Sequence, residues 1–245
     1  MDLRTVLLIA LLSPVLFFAE NGRSFAASIQ SGPKQVSLLE LFSSEGCSSC
    51  PPADEWVNKL SSDKGLWKDY VPVVFHVDYW DHLGWKDIYA SPQFTRRQRE
   101  YANSWKSGTI YTPSFVLNGR EWRAGKPPGS NKNISGVLAA EISDGRRLTI
   151  VFHPDKALRN NEGPWEGHLA VLKSGLRSDI KRGENAGRIL KHDFVARDHS
   201  SKVLVSKEGG YSAEWDLSDS KEDTIALWVT RQGELIPVQA AGGKF

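Results

Sequence analysis

Cys47 and Cys50 are the only cysteines in this 245-residue chain, with two serines between them and Pro51-Pro52 directly behind. This block fixes the local backbone. Proline is tolerated in the first turn of a helix, where its missing N–H would have had no partner, so Pro51 and Pro52 mark a helix start. Ahead of the pair, residues 36–42 form a short, mostly apolar run of the kind that makes a buried strand. Behind it, Trp56, Val57 and Leu60 recur at helical spacing within 53–60. The spacing therefore predicts a dithiol at a strand-to-helix junction.

A disulfide here would close a loop with only two residues between its ends, and loop-closure stabilisation grows with loop size. It would do little to hold a large fold. A tight pair suits exchange better: one thiolate attacks a substrate disulfide and its neighbour resolves the mixed disulfide. Zinc is the other use of paired cysteines, but a structural zinc site needs four ligands and the chain has no second cysteine pair. His76 and His82 are the histidines considered as completing a Cys2His2 or copper site. They stand six positions apart, and the expected protein carries no metal or other cofactor.

Residues 1–27 differ from the rest. Arg4 precedes an apolar run over 6–19, and small residues follow at Ser24, Ala26 and Ala27. This is the layout of a secretory signal peptide, cleaved after Ala26 or Ala27. The run is shorter than the ~20 residues that span a bilayer as a helix. The expected protein is exported, periplasmic or secreted, and membrane-free after cleavage, in the compartment where disulfides persist. The net charge is +2, spread along the chain, which is no footprint for nucleic acid. The cluster Arg96-Arg97-Arg99 reads as the solvated face of a helix.

Further along, 71–77 reads as a second buried strand and 78–87 as an aromatic-rich loop. Ser91 and Pro92 read as the N-cap and first position of a helix to about residue 106. Residues 111–117 and 120–123 form a hairpin around Asn118-Gly119, a strong two-residue turn signal. An amphipathic helix over 130–142 closes the region. Beyond residue 145, the segments 147–152, 166–173, 188–196, 211–217, 224–231 and 234–238 are β-rich and separated by turn residues, predicting antiparallel β structure.

The order βαβαββα, the CxxC at the first strand-to-helix junction and Thr112-Pro113 before the hairpin resemble the thioredoxin-like superfamily over residues 34–143. The blocks ELFSSEGCSSCPPADEW, HVDYWDHLGWKDIYASPQFTRRQREYA, YTPSFVLNG and GENAGRILKHDFVARD resemble an uncharacterised secreted bacterial family. Its members pair such a domain with an all-β C-terminal part, here 146–240. The resemblance implies Cys47 as nucleophile, Cys50 as resolving thiol, Pro113 as a cis-proline facing the dithiol and Thr112 as its tuning neighbour. It implies Glu40 as a buried acid below Cys50, although its spacing to Cys47 is one residue longer than usual. The prolines remove two helix N-terminal donors, so Cys47 is expected reactive without being strongly acidic. Cys47 is expected exposed, and Cys50 buried and held extended by the prolines.

Trp80, His82 and Trp85 in the 78–87 loop form either a wall of a substrate groove or an aromatic patch packing the two halves together. Glu184, Asn185 and Arg188 read as turn chemistry ahead of a polar network. The expected function is thiol–disulfide exchange on protein or small-molecule thiols. The alternative is a non-catalytic binding protein, holding copper or another metal at the cysteines or a protein partner on the β part.

Overall fold

The computed structural model describes residues 25–143, 146–159, 164–207 and 209–245. The expected signal segment lies outside the described residues up to position 24, and residues 25–27 belong to the first strand. Along the chain run β1 (Phe25–Gln30), β2 (Ser37–Ser43), α1 (Pro51–Asn58), β3 (Tyr70–His76), α2 (Pro92–Ser104), β4 (Ser114–Leu117), β5 (Arg120–Trp122) and β6 (Gly136–Ser143). Then follow β7 (Arg147–Pro154), α3 (Lys156–Arg159), β8 (Trp165–Lys173), β9 (Leu176–Asp179), β10 (Ile189–His192) and β11 (Val195–Val203). The last elements are β12 (Val205–Lys207), β13 (Gly210–Asp216), β14 (Thr224–Arg231) and β15 (Gln239–Lys244).

The molecule is predominantly β, and this corrects the expected thioredoxin-like α/β domain followed by an all-β subdomain. The strands that were to form the α/β domain do not make a sheet of their own. One eight-stranded sheet runs β15-β14-β8-β11-β3-β2-β4-β5, with half its strands from each part of the chain. β2 and β3 pair in parallel over their full length, and β3 meets β11 in parallel at Val74↔Val195. The other correction is at the end of the expected α/β region. The helix expected over 130–142 is instead β6, hydrogen-bonded to both β1 and β7 in a five-stranded sheet β1-β6-β7-β13-β12.

The reason for that miss is local. Ile134, Leu138 and Ile142 recur four apart, which suggests a helix, but Gly136 has φ +102 and breaks it. A Cβ on Gly136 would lie 2.1 Å from the His153 carbonyl oxygen, so the backbones of β6 and β7 approach there as only glycine permits. The Asn118-Gly119 turn forms with φ 49 and 77, the doubly left-handed pattern of a two-residue hairpin. Ser91 caps α2, its hydroxyl accepting from Gln93 N at 3.2 Å.

The eight-stranded sheet is covered on both faces, and the cores follow the strand alternation. On one face, Leu38 and Phe42 of β2 pack with Val73 and Phe75 of β3 against Phe94 and Tyr101 of α2. On the other, Leu39 and Leu41 meet Ala53 and Val57 of α1. Farther along the sheet, Leu169, Val171, Ile225 and Leu227 of β8 and β14 pack on Leu138, Ile150 and Phe152 of the five-stranded sheet. Gln239 joins the chain ends: its Oε1 accepts from Val36 N at 2.8 Å, and its Nε2 donates to the Gly136 carbonyl at 2.6 Å.

Candidate dithiol site and its buried polar floor

β2 delivers the chain to Ser44 and Glu45, both buried, and a tight turn then carries the two cysteines. Cys47 N donates to the Ser44 carbonyl at 3.1 Å, and Cys50 N to the Cys47 carbonyl at 3.2 Å. The Cys50 carbonyl accepts from Ala53 N and Asp54 N, which makes Cys50 the N-cap of α1. Its φ of −76 and ψ of −36 are helical, not the extended conformation expected ahead of proline. Two helical hydrogen bonds to its carbonyl outweigh the pre-proline bias. Gly46 is needed where it stands, because a Cβ there would lie 2.9 Å from the Trp80 Cβ.

Cys47 Sγ lies 3.3 Å from Ser49 Oγ and 3.8 Å from the Thr112 carbonyl oxygen, and the Thr112–Pro113 peptide is cis. Both cysteines are free and buried, Cys47 at 1% exposure and Cys50 at 0%. The expected contrast of an exposed and a buried thiol is therefore absent; Ser48 and Ser49 are what solvent meets. The two thiols differ electrostatically instead. The hydrogen bond from Cys50, helped by Ser49 and Thr112 and opposed by burial, lowers the Cys47 thiol to about 6. Burial, reinforced by the neighbouring Cys47 sulfur, pushes Cys50 far up.

The turn is held from three sides. The Asn185 amide, fully buried, donates to the carbonyls of Glu45 and Cys47, both at 2.9 Å. Glu184 accepts from Ser48 N at 3.0 Å, so this segment between β9 and β10 is a polar clasp on the dithiol turn as well as a turn. Trp80 Nε1 donates to Thr112 Oγ1 and Trp85 Nε1 to Glu45 Oε2, each at 2.8 Å. The 78–87 loop thus braces Glu45, ahead of the dithiol turn, through one indole and Thr112, opposite Cys47, through the other. His82 is exposed on a one-turn helix and contacts the Tyr79 carbonyl, away from the cysteines.

Glu40 does not serve as the acid below Cys50. It lies on the α2 face of the sheet, opposite α1, where Arg97 Nε donates to its Oε1 at 2.6 Å and the Tyr101 hydroxyl to its Oε2. Arg97 is itself buried, stacked among Phe75, Tyr101 and Trp228, rather than on a solvated face. The group on the cysteine side is Asp54, one turn past Cys50 in α1 and buried. Burial, partly offset by the nearby His76 and His192, raises its carboxyl to about 6.

Asp54 belongs to a buried polar cluster on the α1 face. His76, at the end of β3, has its Nδ1 2.7 Å from Asp87 Oδ2, which also accepts from Glu45 N at 2.8 Å. Burial opposes protonation of His76, but the adjoining Asp87 carboxylate wins and raises its pKa. His192 of β10 places Nε2 3.3 Å from Glu45 Oε1 and Nδ1 3.8 Å from Asp54 Oδ2. Asp54 and His192 were missed in the sequence, yet both leave a trace there. Asp54 sits three residues before Val57 on the apolar stripe of α1, and His192 shares a strand face with buried Leu190.

The fold and site define a β-rich protein with a buried, electrostatically asymmetric dithiol above a buried imidazole–carboxylate cluster. A model of the family described as protein of unknown function DUF1223 matches residues 38–230, and the chain belongs to that family. Its function is unassigned, and with the β-rich fold this replaces the thioredoxin-like resemblance drawn from the sequence. Among solved structures, a protein of Agrobacterium tumefaciens is similar with a TM-score of 0.62 and 23% identity, covering 86% of this chain and 95% of that one. HBP35 of Porphyromonas gingivalis is similar with a TM-score of 0.58 and 12% identity, covering 88% of this chain and 76% of that one. At these identities the likeness concerns fold alone. No curated protein matches. Among the described residues, no helix is long and apolar enough to cross a membrane.

Proposed function

We propose that this chain is an exported thiol–disulfide oxidoreductase acting on protein or small-molecule thiols through a mixed disulfide at Cys47. One observation carries the reading: the turn gives its two sulfurs opposite characters. Cys47 Sγ is held among Ser49 Oγ, the Thr112 carbonyl and Cys50, and is favoured as thiolate near neutral pH. Cys50 stays a protonated thiol at the helix start. A nucleophile needs the first condition and a resolving group the second. Export rests on the signal-like layout of residues 1–27.

In the exchange, the Cys47 thiolate attacks one sulfur of a substrate disulfide. A Cys47–substrate bond forms and the other substrate sulfur leaves as a thiolate. That thiolate takes the Cys50 proton. The Cys50 sulfur then attacks Cys47 and expels the second substrate sulfur as a thiolate. The protein's dithiol becomes a disulfide, and the substrate disulfide becomes one thiol and one thiolate, the latter taking from water the proton that Cys47 had released. The reverse sequence oxidises a substrate dithiol. Because Cys47 is buried, the substrate approaches over Ser48 and Ser49, the exposed residues of the turn.

The test uses oxidised glutathione as substrate. Reduced Cys50→Ser protein should accumulate a one-to-one glutathione adduct at Cys47, read by intact mass. Cys47→Ser should accumulate none at Cys50 on the same timescale, and the wild type should pass to the internal disulfide. An unmodified Cys50→Ser protein, or exchange that survives Cys47→Ser, overturns the proposal.

A further inference from the structure

The cluster beneath the dithiol has the composition of a metal site, and its orphaned atoms point to one. Asp54, His76 and His192 come from α1, β3 and β10, are all buried, and offer ligand atoms within 4.8 Å of one another. His76 Nε2, both nitrogens of His192 and both oxygens of Asp54 have no hydrogen-bond partner. A buried polar atom left without a partner costs roughly 1–3 kcal/mol, and native proteins keep few. One such atom from each of the three residues lies within 4.8 Å of the others, and together they call for a shared partner. A hydroxyl or amide would satisfy one or two of them; a cation satisfies all three residues together.

We propose that Asp54, His76 and His192 bind a divalent transition-metal ion of the zinc class. Each imidazole is already arranged as a ligand. His76 gives its Nδ1 to Asp87, which leaves Nε2 for the metal. His192 has Nε2 beside Glu45 Oε1 and Nδ1 toward Asp54, which leaves Nδ1 for the metal. A ligating histidine almost always has its second nitrogen on a carboxylate, carbonyl or water, which sets tautomer and ring orientation. Here both have a carboxylate. Those carboxylates are anchored in turn: Asp87 accepts from Glu45 N and Tyr89 N, and Glu45 Oε2 from Trp85 Nε1.

The donor set of two nitrogens and one carboxylate oxygen is the three-protein-ligand pattern that leaves a fourth position open on zinc. Tetrahedral zinc with bonds of ~2.0–2.1 Å sets its ligands about 3.4 Å apart. The three ligand atoms stand within 4.8 Å of one another, and the His192 Nδ1–Asp54 Oδ2 pair, at 3.8 Å, is nearly at that spacing. An access route exists too. A groove of about 490 Å³ between α1 and β10 has Asp54 in its lining, together with Leu190 and Lys191 just before His192.

This inference does not depend on thiol exchange, and the test separates the two. Chelator-treated full-length protein is titrated with Co²⁺ and then with Zn²⁺ as competitor. One Co²⁺ per chain should bind, giving visible d–d bands without a strong sulfur-to-cobalt band in the near ultraviolet. The spectrum should survive Cys47→Ser/Cys50→Ser. His192→Ala should weaken binding at least ~100-fold, and Asp87→Asn, which removes only the orienting carboxylate, about 10–100-fold. Circular dichroism confirms that each variant is folded. The proposal is overturned if the wild type binds no Co²⁺ or Zn²⁺. It is equally overturned if the cobalt spectrum is that of a thiolate complex and disappears with the cysteines. A strong sulfur-to-cobalt band in the wild-type spectrum is enough to overturn the proposal, so misfolding of a variant does not rescue the idea.

Discussion

The eight-stranded sheet buries charge on both of its faces, and the two burials are opposite in kind. On the α2 face, Glu40, Arg97 and Tyr101 form a closed set in which both Glu40 oxygens are hydrogen-bonded and the guanidinium is stacked on aromatic rings. On the α1 face, Asp54, His76 and His192 leave polar atoms without partners. The first set is complete within the chain. The second keeps orphaned donors and acceptors. The set with orphaned atoms lies on the face that carries the cysteines.

Breaking the closed set should have the largest effect. Arg97→Ala leaves the Glu40 carboxylate buried without its ion partner, and such a loss costs ~3–5 kcal/mol. Chemical denaturation of the two proteins at neutral pH measures it. A loss below about 1 kcal/mol would mean the Glu40 side is as loosely satisfied as the other face.

The dithiol should respond to its own face only. With its thiol lowered to about 6, Cys47 loses most of its thiolate between pH 7 and 5, and alkylation by iodoacetamide should slow about tenfold. The thiolate form persists above that pKa and is lost as pH falls through it. Tyr79 is pushed up to about 12 and stays neutral over this range, and Glu184 touches the turn through Ser48 N. Cys50→Ala removes the strongest support for the Cys47 thiolate and should move the midpoint upward. Glu40→Gln, behind the sheet, should leave it unchanged. A midpoint that follows Glu40 would erase the distinction between the faces.

The smallest effect is expected at Asp54. In chelator-treated protein, Asp54→Asn removes a buried carboxylate whose oxygens have no partner, so stability should stay within about 1 kcal/mol of wild type or rise. Denaturation with and without the chelator checks this, and a loss of several kcal/mol would show that Asp54 is already satisfied by the chain.

Much of the local structure was legible. The strand leading to Cys47, the helix behind Pro51-Pro52, the Ser91 cap and the Asn118-Gly119 turn are encoded within a few residues each. The architecture was not, because which strands share a sheet is decided by pairings such as Val74↔Val195 that leave no periodic mark. The same limit hid the site. The resemblance put Glu40 beneath the cysteines, but alternation alone does not say which sheet face lies there. Asp54 and His192 are separated by well over a hundred residues and meet only in the folded chain. Asn185 looked like turn material because its two carbonyl partners belong to a distant loop.

The side chain of Gln239 carries a consequence for how the polypeptide is made. Val36 N has no Gln239 acceptor, and β3 no neighbour β11, until residues far downstream have left the ribosome. An emerging N-terminal half has half of a sheet and an open edge, the kind of surface that sticks to other chains. The complete sheet can therefore form only once the downstream strands are available. A nascent chain stalled short of Gln239 should remain a substrate for chaperones and proteases, whatever the state of its cysteines.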